Sequence, residues 1–571
     1  MASFTPSDVD LAAKFTQFLK DSDCQNQYSE ERLRLLEAEQ ASSWDSKARL
    51  EASDVEREAA AIVRTIREME RDDPTLFGNQ AGESIPDSET RDMGGQFLTN
   101  RSRIQESKIY SIAREMPKGG HLHIHFNSEL HPNILLQQAK DMDTMFIRSI
   151  RPLLGKDDLD ETEVVFNVLP VGTKSSNVFA LNYNSDHGDT NSNPWMKFKD
   201  FCVEFRQKFK SDPLDWVRSK AALSEDDVYR QSQTLNGVWA RFNQGTRCFK
   251  GLLNYESVFR WYISAAIDSM IEDKIMYAEL RPMLLDKTIP SDDGLQQLCH
   301  SDQMNIIVEE VSKKKKDLEA KGQLELFPFG LKIIYCTPRS IPKPRMTTEM
   351  LDCIRLKLAY PDLICGFDLV GAEDRPNSIS YYRDELLAFV KTCESLGIKI
   401  PFLFHAGETL LDTGGSKDPE NSNLFDVVLL NSKRIGHGYS ILKHPKLVEE
   451  FKKKRICIEL CPVSNELLNL CRNIKQHPYP AMLQQGLECT VNSDNPALFS
   501  STLSYEFYQV MVGSTTMSLH GWRQLAEWSI VHSCLNEDQK EEALGYWRQR
   551  WDEFCVWIVK KFGPVAKEAE V

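Results

Sequence analysis

The sequence predicts an α/β protein, a (β/α)8 TIM barrel with a helical N-terminal extension and a large insertion after strand 1. Three observations predict it. Short apolar runs recur eight times from residue 121 onward, with helical patterns between most of them, and eight strand–helix units close such a barrel. Each candidate for chemistry stands at the end of one of these runs, the face on which this architecture builds its sites. Finally, 571 residues accommodate a barrel of about 250 residues plus substantial additions.

Residues 1–105 are rich in Glu, Arg, Ala and Leu with helical periodicity, as in SEERLRLLEAEQ and AAIVRTIREMERDD, and carry a polar loop from Pro74 to Gly95. They read as a helical extension, either a packing appendage or an arm that pairs two chains into a homodimer. The barrel is expected over 106–565. Its first run is HLHIHF (121–126) and its second IMYAELRP (275–282). The gap between them is too long for one loop and helix, so it must hold an inserted subdomain, about 130–235. Within it GTKSSNVFALNYNSDHGDTNSNPW (172–195) looks like a flexible excursion. The other six runs are GLKIIYC (330–336), LICGFDLV (363–370), IPFLFHA (400–406), RIGHG (434–438), ICIELCP (456–462) and LECTVNSD (487–494).

Composition narrows the partners. A net charge of −15 argues against nucleic acid or an anionic membrane surface, and the run Lys313 to Lys316 reads as a solvated helix face. No apolar run approaches the roughly 18–20 residues that span a bilayer. The 14 cysteines form no CxxC pairs, and Cys336, Cys365, Cys457 and Cys461 lie in apolar runs, as buried thiols of a reducing compartment do. The amino terminus shows no basic start followed by an apolar stretch, so a cytoplasmic location is expected.

His123 and His125 alternate along a strand and so point to one side. With His405 on the fifth run and Asp494 on the eighth they offer three imidazoles and a carboxylate, a set that suits Zn2+. Ligands drawn from three distant strands favour a catalytic ion over a structural one. Bound water at such an ion becomes a nucleophile near neutral pH. Glu408, three residues after His405, can protonate a ring nitrogen if burial keeps it protonated. His437, between glycines, can orient the attacking oxygen.

The motifs HxH, HAGE, GHG, ELCPxSN and SD(D/N)P, in this order and spacing, resemble the adenosine deaminase superfamily. They are most similar to its adenosine deaminase-related growth factor (adenosine deaminase 2-like) branch. MPKGG (116–120), GVWARF (237–242), GFDLVG (366–371), the long first insertion and YWRQRWDEF support the resemblance, which covers roughly residues 100–560. It implies hydrolytic deamination of a 6-aminopurine nucleoside, adenosine or 2′-deoxyadenosine. His123, His125, His405 and Asp494 would be the zinc ligands, Glu408 would serve purine N1, and His437 the attacking oxygen. Gly371 would offer its N–H to N3, and Trp239 would line the nucleoside pocket.

Three departures from the family pattern stand out. Asn495 replaces an aspartate that donates to N7, and an amide can donate there too. Phe126 and Asn127 stand where an acid reaches the ribose hydroxyls, and Phe126 cannot accept a hydrogen bond. Ala372 replaces a histidine. The catalytic set is intact and the substrate-reading shell altered, so a different amino-heterocycle (adenine, an N6-modified adenosine) is the second reading and a non-catalytic binding homologue the third. Secreted members of the branch carry a signal peptide and a disulfide-bearing insertion, neither of which is expected here.

Overall fold

The computed structural model describes residues 6–78, 85, 87, 89–186, 193–411 and 421–569. The chain divides into two compact units, Met1–Ala52 and Ser53–Val571. The first consists of helices Pro6–Leu19, Ser22–Ser42 and Ser46–Glu51, with Asp21 capping the second through the N–H groups of Asp23 and Cys24.

In the second unit all eight expected runs contain strands: β1 (Gly119–His125), β2 (Ile275–Arg281), β3 (Leu331–Pro338), β4 (Ile364–Val370), β5 (His405–Ala406), β6 (Arg434–His437), β7 (Cys457–Leu460) and β8 (Cys489–Val491). They form two parallel sheets, β1-β2-β3-β4 and β5-β6-β7-β8. Isolated parallel bridges link their edges: Ile124 pairs with Asp494 just past β8, and Phe367 in β4 pairs with Phe402 just before β5. β2 and β4 are buried along their whole length, as strands covered on both faces are.

Two strands differ from expectation for local reasons. β1 begins at Gly119, whose φ of +74° favours glycine and where a Cβ would meet Ser529 Oγ at 2.5 Å. It stops at His125, because Phe126–Ser128 turns into a short 3-10 helix. β5 is only two residues long, and upstream of it Pro401 has no N–H to give the ladder. The preceding run still touches β4, with Phe367 N–H donating to Pro401 O and Leu403 N–H to Phe367 O, both at 3.0 Å.

The segment between β1 and β2 holds an antiparallel sheet in which Met145–Ser149 lies between Val164–Val168 and Met196–Lys197. Helices Phe198–Phe209, Pro213–Ala221 and Leu235–Leu253 follow. Leu235–Leu253 starts at Thr234, whose hydroxyl accepts from Gly237 N–H at 3.0 Å. It packs on Val164–Val168 at Gly251, where a Cβ would strike the Phe166 carbonyl. The expected excursion has no helix or strand from 172 to 186, and its residues 187–192 lie outside the described ones, as do several of the loop 74–95.

The expected extension 1–105 is not a single body. Helix Asp54–Asp72 belongs to the second unit and packs against the long carboxyl-terminal helix Glu537–Ala569. That helix is tied beneath β1 by Trp547, whose indole N–H donates to Pro117 O at 2.8 Å.

Candidate active site

Three strand ends, those of β1, β5 and β8, bring the expected metal set together. The ring centroids of His123 and His405 are 4.5 Å apart, and those of His125 and His405 5.4 Å. Asp494 Oδ1 lies 3.4 Å from His123 Nε2 and 3.2 Å from His125 Nε2. Asp494 and His437 both hold left-handed backbone, φ +57° and +64°, a conformation uncommon for residues with a Cβ and concentrated at functional sites.

The partners on Nδ1 decide what each imidazole can do through Nε2. His123 Nδ1 meets Glu459 Oε2 at 2.8 Å, and His405 Nδ1 meets Asp368 Oδ2 at 2.7 Å. A carboxylate accepts, so each ring, in the neutral form a metal requires, carries its hydrogen on Nδ1 and turns an Nε2 lone pair inward. The His123 Nε2 atom is buried without a hydrogen-bond partner, a cost that a cation would remove. Burial, against the pull of Asp368, lowers His405 to about 4, which keeps the ring neutral, the form that can bind a metal. Burial raises Asp494, but its contacts with His123 and His125 outweigh that and hold the carboxyl well below its ordinary value. Ser464 Oγ donates to its Oδ2 at 2.7 Å.

Ligand atoms of His123, His405, His437 and Asp494 all lie within 4.8 Å of one another, so geometry alone admits His437 in place of His125. A hydrogen-bond chain removes that option. The N–H of Tyr479 donates to His477 Nδ1 at 3.0 Å, and burial lowers His477 to about 3, so this neutral ring carries its hydrogen on Nε2. It donates to Asn465 Oδ1 at 2.9 Å, which orients the amide so that Nδ2 donates to His437 Nδ1 at 3.0 Å. Burial drives His437 well below its usual range, so it too is neutral with hydrogen on Nε2. A ring in that state offers a hydrogen to the site rather than a lone pair.

Glu408 Oε1 stands 3.5 Å from His437 Nε2. Burial first, then the charges of Asp494 and Glu373, pushes its carboxyl well above the usual range, so it holds a proton to give. Glu373 fixes the turn that carries it, accepting from Gly407 N–H at 2.9 Å, Glu408 N–H at 2.6 Å and Asn423 Nδ2 at 2.7 Å.

The expected residues His125, Asn127, Trp239, Gly371, His405, Glu408, His437, Asp494 and Asn495 all line one cavity of about 320 Å³, the size of a small-molecule site. His123 lies behind it, fully buried. Gly371, φ +103°, has nothing within 4 Å of where a Cβ would stand. Asn495 turns one amide hydrogen onto Asp494 Oδ1 at 2.9 Å, which leaves one for a ligand. Phe126 stacks on Phe259 with centroids 5.2 Å apart.

Sequence reasoning did not find the residues that hold these in place. Arg281 donates to Asp368 at 3.0 Å, to Glu459 at 2.7 Å and to the Leu122 carbonyl at 2.6 Å. Arg434 donates to Glu459 at 2.6 Å and pairs with Glu279. All five side chains are fully buried. Their signal was present: charged residues inside apolar strand runs are expensive unless paired.

The adenosine deaminase family model matches residues 221–546, more than half of the chain, and the chain belongs to that family. Within it the protein falls in the adenosine deaminase 2-like branch and is a hydrolytic deaminase of adenosine-like substrates. Human adenosine deaminase 2 is 30% identical over 470 residues, 81% of this chain and 83% of that protein. The adenosine deaminase of Aedes albopictus is 30% identical over 461 residues, 79% and 76% of the two chains. Among solved structures the ADAL–IMP complex superposes with a TM-score of 0.50 at 14% identity, covering 78% of this chain and 99% of that one.

Proposed function

We propose that the protein converts adenosine and 2′-deoxyadenosine to inosine and 2′-deoxyinosine, releasing ammonia, with one Zn2+ held by His123, His125, His405 and Asp494. The observation that carries this reading is the division of labour among the imidazoles: the rings of His123 and His405 face inward with lone pairs, and that of His437 with a hydrogen. The joined sheet edges support a closed (β/α)8 barrel as the frame.

The ion would acidify a water toward a pKa of about 7, making it a nucleophile at neutral pH. His437 Nε2–H donates to the attacking oxygen and offsets its negative charge. Glu408 gives its proton to N1 as C6 becomes tetrahedral. The protons of the water then end one on the departing ammonia and one on Glu408, while N1 keeps the proton it received. Gly371 leaves room for the purine edge, Asn495 has one amide hydrogen for N7, Trp239 walls the pocket, and Asn127 faces the sugar.

Incubating the metal-loaded protein with adenosine is expected to give inosine and ammonia in equal amounts; no inosine would overturn the reading. The amide of Asn495 held on Asp494 and Phe126 packed on Phe259 favour a second reading, another amino-heterocycle. Rates on adenosine, 2′-deoxyadenosine, N6-methyladenosine and adenine separate the two, and equal or better rates on adenosine remove the second. The exposed Leu11, Phe15 and Phe18 of helix Pro6–Leu19 support pairing of two chains, and the 14 free cysteines support a reducing, cytoplasmic home.

A further inference from the structure

The cavity does not end at the reacting centre. Helix Leu235–Leu253 forms one wall, and the character of that wall changes along its length. Trp239 and Phe242 come first, with the Phe242 ring 5.9 Å from Phe499, which closes the short helix that begins just after Asn495. Asn243, Thr246, Arg247 and Lys250 follow into the same cavity, at the spacing that keeps residues on one helix face. Lys250 pairs with Asp286 in the loop after β2, and Arg247 pairs with Glu163. Eight residues separate Trp239 from Arg247, about 12 Å along the axis at 1.5 Å per residue, a span that a ribose and a 5′ substituent can bridge.

Three observations make this end a place for an anion. Both cations are accessible, their side chains 50% and 42% exposed. Exposed ion pairs contribute little, so a phosphate with more acceptor oxygens displaces one carboxylate readily, and the guanidinium fork matches it. A second cavity of about 280 Å³ shares Arg247, Lys250, Asn254 and Asp286 with the first, so the pair has open space on both sides. And the β1 end of the pocket presents the neutral Phe126 and Asn127, which leaves Asp286 and Glu163, each already paired with one of the two cations, as the carboxylates beside the subsite.

We propose that the active site continues into a phosphate subsite formed by Arg247 and Lys250, and that the enzyme deaminates nucleoside 5′-monophosphates of the adenosine type. This rests on the deaminase reading above and leaves the chemistry at C6 unchanged. Asn254 adds a neutral donor to the same oxygens, and the purine keeps its contacts with Glu408, Gly371 and Asn495.

The test is kcat/KM of the metal-loaded full chain on adenosine and on adenosine 5′-monophosphate, for wild type, Arg247→Ala and Lys250→Ala. The wild type is expected to favour the monophosphate at least tenfold, an advantage that shrinks with added salt as exposed charges are screened. Each variant is expected to lower the monophosphate-to-adenosine ratio tenfold or more. Binding of inosine 5′-monophosphate against inosine, by calorimetry, should show the same order without turnover. A wild-type ratio at or below one, or a ratio that neither variant moves, overturns the subsite and leaves the deaminase reading standing. Absence of turnover on both substrates overturns both.

Discussion

A neutral imidazole can bind a metal through Nε2 or donate a hydrogen from it, and its Nδ1 partner chooses. In this site carboxylates choose for His123 and His405, and an amide chooses for His437. Asn465→Asp should reverse the last choice: the carboxylate would accept from Nδ1 and turn a lone pair into the site. We expect kcat to fall about 10–100-fold, the usual cost of losing such a supporting contact, with metal content unchanged by elemental analysis. Wild-type kcat in this variant would show that the amide does not set the ring. Glu408→Gln keeps the shape and removes the proton, so turnover should fall by about 10²–10⁴ while the metal stays. Normal rates in that variant would remove Glu408 from the chemistry. The histidines were legible because a motif needs only residue types at spacings. The chain Tyr479–His477–Asn465 was not, because its links join side chains whose contacts depend on how separate loops fold together.

At the scale of elements, the strands supply the ligands and also the charges beneath them. The eight runs were legible because buried parallel strands read as continuous apolar segments. Arg281, Arg434, Glu279, Asp368 and Glu459 lay inside those runs, and nothing in a single run says which acid meets which arginine across the sheets. Arg281→Met should leave Asp368 and Glu459 buried without their shared partner, a loss of about 3–5 kcal/mol, seen as a lower Tm with and without metal; an unchanged Tm would mean the acids are neutralised some other way. Gly436 in β6 shows how tightly the strands are set, since a Cβ there would stand 2.5 Å from His123 Cε1 and 2.9 Å from Nδ1. Gly436→Ala should therefore push the ring off Glu459 and weaken metal binding tenfold or more, measured by competition with a chelator. Wild-type affinity would show that the ring has room to move.

Across the whole molecule, helical periodicity cannot tell a stripe that packs on its own domain from one that meets something else. That is why residues 1–105 read as one extension, whereas Asp54–Asp72 packs on Glu537–Ala569 with Ala59, Val63 and Ile66 buried. Removing residues 1–52 should leave deamination intact, and removing 1–72 should abolish soluble, cooperatively folding protein; equal behaviour of the two truncations would contradict this division. The central claim concerns the whole assembly of strands, ligands and proton donor: hydrolysis of an adenosine-type amine that depends on one bound metal. The most direct test strips the protein with a chelator, restores zinc stepwise and follows ammonia release from adenosine and its 5′-monophosphate. The account predicts no turnover without metal and activity that rises in proportion to zinc, levelling off at one ion per chain. Full activity in the stripped protein, or none in the reloaded one, would contradict it.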